Sequence, residues 1–145
     1  MSTFVIDAYA WIEYFDGTEP GAIVCGIVEE EENTIITNAV TIAELAGKFK
    51  RSQRDFSAPK KVLLALSRIE DVTTSLAEET GVLHAELRKT RKHLGLADAF
   101  VLQTARKRGA KVVTGDQDFK GLKEVVLVGC REQDSNLRRH EANRF

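Results

Sequence analysis

Five carboxylates occupy places in this 145-residue sequence where acids can do metal chemistry: Asp7, Glu44, Asp98, Asp116 and Asp118. Asp7 closes the β-branched run Thr3-Phe4-Val5-Ile6, and Asp116 and Asp118 follow a similar run, Lys111-Val112-Val113-Thr114. Glu44 ends Thr41-Ile42-Ala43-Glu44, and Asp98 precedes apolar or small residues at Phe100, Val101, Thr104 and Ala105, one face of a helix. Parallel sheets form a crevice beyond the carboxyl ends of their strands, and acids from separate strand-to-helix connections can meet there. Three or four carboxylates packed together raise one another's pKa unless a cation joins them. A hard divalent ion, Mg²⁺ or Mn²⁺, prefers oxygen ligands and commonly sits between carboxylates and a substrate phosphate.

Each acid also has a structural use. Asp7 can cap the helix after it, and Glu44 can partner Thr41 in a capping box, which taken alone is the stronger reading of that residue. Asp98 can favour the positive end of its helix. Asp116 and Asp118 in Gly115-Asp116-Gln117-Asp118 can bond their own turn. Asp98 weighs against a structural use for the whole set, because it stands at the edge of an apolar face where an unpaired charge is costly.

The elements that must position these acids alternate between short strands and helices. Strands are expected at 3–6, 34–37, within 69–74, at 111–114 and at 125–128. Helices are expected over 8–15, from Glu19-Pro20 to about Glu32, from Thr41 to about Ser52, from Ser57 through Arg68, from Ser75 to about His93, and from Ala97 to the stop at Gly109. Solid apolar strands alternating with helices argue for an α/β fold with a parallel sheet covered on both faces.

Composition sets the outer bounds. Hydrophobic residues make up 43% and charged residues 30%, and 21 Lys+Arg against 22 Asp+Glu give a net charge of −1. With 10 Gly and 2 Pro, collagen, low-complexity and wholly disordered classes are excluded. No window reaches the roughly 18 apolar residues of a membrane helix, and Met1 to Asp7 shows no secretory signal, so a cytoplasmic location is expected. Cys25 and Cys130, each among aliphatic neighbours, read as small buried hydrophobes in a reduced compartment. Nucleic-acid binding by a near-neutral chain needs local charge. Between Lys48 and Lys61 six basic residues face one acid, which makes Lys48, Lys50, Arg51 and Arg54 the RNA-binding candidates. The clusters Arg88, Lys89, Arg91, Lys92 and Arg106, Lys107, Arg108, Lys111 end helices, where cations are favoured anyway. Phe49 and Phe56 are expected in the core and not on bases. His84 and His93, nine residues apart on one helix, point about 180° apart and do not form an acid–base pair. Residues 131–145, including His140, read as a mobile or loosely docked polar tail.

Together Phe4-Val5-Ile6-Asp7, Thr41-Ile42-Ala43-Glu44-Leu45, Leu96-Ala97-Asp98-Ala99 leading to Thr104-Ala105, and Val113-Thr114-Gly115-Asp116-Gln117-Asp118-Phe119 resemble the motifs of PIN-domain nucleases, from Phe4 to about Val128. Within that family the closest likeness is to the VapC-like toxin ribonucleases of toxin–antitoxin pairs. The resemblance implies a three-layer α/β/α sandwich on a parallel sheet of about five strands, with one nuclease domain over 1–130 and a tail at 131–145. It implies Mg²⁺- or Mn²⁺-dependent hydrolysis of RNA phosphodiesters. Asp7, Asp98 and Asp116 would be direct metal ligands, Glu44 a direct or water-mediated one, Asp118 an outer or second-ion residue, and Thr114 a hydroxyl that orients a ligand or the phosphate. A homodimer and a small antitoxin covering the acidic crevice are expected, and no membrane partner. The aromatic residues Tyr9, Trp11, Tyr14 and Phe15 suit a partner groove, with core packing accounting for at least two of them. Two other readings compete: a catalytically silent PIN-fold module that binds RNA or protein, and a receiver-like phosphoacceptor domain. The receiver reading needs paired acids after the first strand and a late Lys, whereas Ala8 follows Asp7 and the late strand ends in Thr114-Gly115-Asp116.

Overall fold

The computed structural model describes residues 1–129. Cys130 and the polar segment 131–145 lie outside the described residues. Five short strands, β1 (Thr3–Ile6), β2 (Thr34–Asn38), β3 (Arg68–Glu70), β4 (Lys111–Thr114) and β5 (Val125–Leu127), form one parallel sheet in the order β3-β2-β1-β4-β5. Helices α1 (Ala8–Asp16) and α2 (Glu19–Val28) connect β1 to β2, and α3 (Ala39–Arg51) and α4 (Ser57–Leu66) connect β2 to β3. The last crossover, α5 (Thr74–Arg88) and α6 (Leu96–Arg108), carries the chain from the β3 edge to the far side of β1. The direction of winding therefore reverses between β1 and β4.

Strand side chains alternate between the two faces of the sheet. Phe4, Ile6, Ile35 and Val113 pack with Trp11, Val24 and Leu63 on the side of α1, α2 and α4. Val5, Ile36 and Val112 pack with Val101, Leu102 and Ala105 of α6 on the other. This is the three-layer sandwich that the alternation of elements implied. Each fully buried large apolar side chain contributes roughly 1.5–3 kcal/mol, so both faces are needed to hold strands this short. Trp11 also donates from Nε1 to Thr37 Oγ1 (3.1 Å), and Thr37 shares a hydrogen bond with Ser67 Oγ (2.8 Å), tying α1 to β2 and the end of α4. No helix among the described residues is long and apolar enough to cross a membrane.

Several helix limits differ from expectation, each for a local reason. α2 ends at Val28 and not near Glu32, because Glu29 to Glu32 would place acids at the negative end of a helix. α4 stops at Leu66, where Ser67 Oγ turns back onto the Leu63 carbonyl (2.8 Å). α5 is capped by Thr73 and not Ser75, and it ends at Arg88, because the Thr90 and Arg91 amides both fold back on Leu87 O. α3 begins at Ala39, since Asn38 caps it through Oδ1 to the Val40 amide (2.8 Å). The Thr41–Glu44 capping box therefore does not form. Glu44 lies in the second turn, with its carboxylate released from backbone duty.

Candidate metal centre

Asp7 and Asp116 leave adjacent strands at the point where the winding reverses, the place in an open parallel sheet where a crevice is built into the topology. The Asp7 amide continues the ladder by donating to Val113 O (3.3 Å), while Oδ1 caps α1 by accepting from the Ala10 amide (2.8 Å). The buried Thr114 hydroxyl hydrogen-bonds the Asp7 carboxylate and accepts from the Asp116 amide (3.0 Å). Asp116 Oδ1 in turn accepts from the Asp118 amide (2.9 Å), closing a 3-10 turn at Gln117–Phe119. Asp98 stands at the third position of α6, its Oδ2 accepting from the Gly95 amide (2.9 Å). Thus the cap expected of Asp7, the helix-start place expected of Asp98 and the turn bond expected of Asp116 are all present, and a backbone amide takes up one carboxylate oxygen of each.

Asp98 and Asp116 lie within electrostatic reach of each other and of Asp7, Glu44 and Asp118. Burial is the main force raising Asp7, to about 7, helped by the charges of Asp98 and Asp116 and opposed by the Thr114 and Ala10 hydrogen bonds. Asp98 is raised to about 6, again chiefly by burial, with Asp116 and Asp118 adding to it and His84 opposing. Glu44 and Asp116 are also raised, first by burial and then by neighbouring acids, with Lys48 pulling both back. The neighbouring Asp118 carboxyl adds to the raising of Asp116 by its charge and by a side-chain hydrogen bond. Among the described residues no three His, Cys, Asp or Glu side chains are drawn together closely enough to chelate an ion as they stand. The acids are gathered but not closed. An all-oxygen donor set, half-buried and electrostatically frustrated, fits the chemistry of a hard divalent cation.

Gly115 separates Thr114 from Asp116 and is buried beneath the Tyr9 ring; a Cβ there would overlap ring atoms. Tyr9, two residues after Asp7, thereby packs its ring directly on the residue that follows β4. Gly115→Ala is expected to cost about 2 kcal/mol by overpacking. Combining it with Tyr9→Ala should return part of that loss in thermal unfolding, whereas additive losses would show that the ring and the glycine are not coupled.

The basic candidates separate by position. Lys48, one turn after Glu44, acts on both Glu44 and Asp116 and so stands at the crevice rim. Lys50 and Arg51 are exposed in the last turn of α3. Arg54 is engaged elsewhere, paired with Asp16 (2.8 Å) and stacked 4.5 Å above the Phe49 ring. Phe49 is buried, as expected: exposing it would cost roughly 1.5–3 kcal/mol, about what one stacked base returns. Cys25, expected to be buried, is half-buried, and its thiol donates to Glu29 Oε2 (2.9 Å). It lines a groove of about 440 Å³ together with Tyr14, Phe15, Glu29 and Val62. Of the aromatic cluster, Trp11 is wholly buried, with Phe15 stacked on it at 5.6 Å, while Tyr14 and Phe15 reach the groove.

Two supporting residues escaped the sequence reading. Asn38 donates from Nδ2 to Thr104 Oγ1 (2.9 Å), locking the start of α3, which carries Glu44, to α6, which carries Asp98. Its position at a strand end, like that of Asp7, was the available signal. His84 Nε2 bonds the Leu94 carbonyl (3.0 Å) just before α6, a contact between separate elements that no spacing announces.

The fold and the crevice together define an α/β/α domain with several acids gathered at its switch point. The PIN domain family model matches residues 4–125, and the chain belongs to that family. Its fold is shared with a toxin–antitoxin complex from Klebsiella pneumoniae, at TM-score 0.63 and 24% identity over 87% of this chain and 96% of that one. It is shared with VapBC2 from Rickettsia felis, solved bound to a promoter DNA fragment, at TM-score 0.68 and 18% identity over 86% and 96%. VapC20 from Mycobacterium tuberculosis, described as a toxin that cleaves the sarcin–ricin loop, matches at TM-score 0.66 and 18% identity over 83% and 95%. No curated protein sequence matches the chain.

Proposed function

We propose that this chain is a divalent-metal-dependent endoribonuclease, the toxin of a type II toxin–antitoxin pair. The observation that carries the reading is the gathering of Asp7, Glu44 and Asp116 about Asp98, each repelling it, at the switch point of a PIN-family sheet. A bound Mg²⁺ or Mn²⁺ would supply Lewis-acid polarisation of the scissile phosphate and activation of the attacking water. Asp7, Asp98 and Asp116 hold the ion directly, and Glu44 does so directly or through a water. Asp118 serves as an outer or second-ion residue. Thr114 fixes the orientation of Asp7. Lys48 meets the RNA backbone at the rim, and Lys50 and Arg51 extend that contact along α3.

A small antitoxin covers the acidic crevice, with the apolar groove beside Tyr14, Phe15 and Val62 as a further contact for it; the chain pairs with a second copy, and the nuclease domain spans 1–130 in the cytoplasm. A second reading, a PIN-fold binding module without catalysis, draws on the fact that the acids are not closed into a chelate. The receiver-like reading is disfavoured because Asp7 is only 6% exposed and already caps α1. The purified chain is expected to cut single-stranded or structured RNA with Mn²⁺ or Mg²⁺. Chelation by EDTA should slow cleavage on the order of 10³-fold, and added Mn²⁺ should restore it. RNA left intact at every ion concentration would favour the silent module.

A further inference from the structure

Arg91 was grouped by sequence with the cations that end α5, yet it does not serve that helix end. It lies in the turn between α5 and α6, half-buried, and reaches across to the loop after β4. Its Nη1 donates to two main-chain carbonyls there, Asp118 O (2.9 Å) and Lys120 O (2.7 Å). Its Nη2 lies where a side chain on Gly121 would crowd it (3.3 Å to a Cβ), and Gly121 adopts a left-handed φ of +93°. The turn is itself anchored. The Arg91 amide donates to Leu87 O (2.8 Å), the Leu94 amide donates to Arg91 O (3.2 Å), and His84 Nε2 holds the Leu94 carbonyl (3.0 Å).

One loop in this arrangement carries Asp116 and Asp118, and the other leads within a few residues to Gly95 and Asp98. Their carboxylates repel one another, so the loops that carry them would relax apart unless something tied them. Both Arg91 bonds go to carbonyl oxygens and not to carboxylates, so the side chain ties the loops without filling the place of a cation. A guanidinium suits this task because its donors are held in a rigid plane that an ammonium lacks.

We infer that Arg91 is a positioning residue that clasps the Asp116–Lys120 loop to the entrance of α6 and so sets the spacing of Asp98 and Asp116 as paired ligands. The inference rests on the metal-dependent reading above. Residues that orient metal ligands typically change affinity 10- to 100-fold when removed. Arg91→Ala should therefore bind Mn²⁺ about 10-fold more weakly in calorimetric titration. It should need correspondingly more Mn²⁺ for half-maximal RNA cleavage, yet recover nearly wild-type turnover at saturation. Without metal, hydrogen exchange of the 116–121 amides should quicken. A purely structural role would lower the active fraction and leave the Mn²⁺ midpoint in place.

Arg91→Lys should fall between the two, and it carries the same test should Arg91→Ala fail to fold. Folded variants that match wild type in both Mn²⁺ affinity and loop exchange would overturn the clasp alone. Wild-type protein that binds no Mn²⁺ would overturn the metal-dependent reading and the clasp with it.

Discussion

Asp98→Asn is expected to reduce RNA cleavage on the order of 10³-fold while making the protein more stable. The loss follows from removing one anionic oxygen donor from the ion's surroundings, worth several kcal/mol of transition-state stabilisation. The gain follows from the same geometry. Asp98 is held up to about 6, chiefly by burial and then by Asp116 and Asp118, so its ionised form is an uncomfortable resident of the fold. The asparagine oxygen can still accept from the Gly95 amide, so the start of α6 is preserved. After allowance for solvent screening, about 1 kcal/mol is expected, a few degrees in melting temperature at pH 8 in EDTA. A cleavage assay beside a thermal melt reads both. Full activity in a folded variant would remove Asp98 from the proposed machinery, and lost activity with a lowered melting point would mean only that the fold was damaged.

Asp7→Asn should produce the largest change in how stability depends on pH. The folded carboxyl, raised to about 7 mainly by burial, binds its proton more tightly than the unfolded one, whose value is 3.8. Between those limits the folded state holds the extra proton, so stability falls as pH rises from about 4 to about 7 and the loss is complete above that. Asparagine removes this slope and caps α1 equally well. At pH 8 in EDTA the variant should exceed wild type on the order of 3 kcal/mol in urea unfolding. The two proteins should converge at pH 4. Saturating Mn²⁺ should flatten the wild-type slope, because proton and ion compete for the same oxygens. Parallel stability curves from pH 4 to pH 8 would show that Asp7 carries no such strain.

Much of this site was legible in the residues, and the part that was not has a physical explanation. Solid apolar runs announced β1, β2 and β4, and a period of 3.6 together with Gly109 announced α6, because those signals depend on local burial and backbone freedom alone. Acids at strand ends were visible for the same reason. The start of α3 was misjudged because Asn38 and Thr41 both offer a capping oxygen, and only the sheet decides between them by ending β2 at Asn38. That choice changed the meaning of Glu44 from cap to crevice residue. Arg54 read as a free cation until Asp16 and Phe49, distant in sequence, came beside it. His84 and Arg91 were opaque because each holds a backbone carbonyl, and a carbonyl leaves no trace in residue type.

The pairing of β1 with β4 joins Phe4, Val5 and Ile6 to Lys111, Val112 and Val113, segments more than a hundred residues apart. Contacts of such long sequence separation form late and slowly. Asp7 is synthesised well before its neighbours Asp98 and Asp116, which lie on the far side of five helices and two strands in the sequence. A chain truncated during translation before Lys111 lacks the central strand pair and Asp116 altogether. A copy of this protein made only as far as Lys111 therefore cannot assemble the crevice, and whatever that crevice does is withheld until Asp116 has been added.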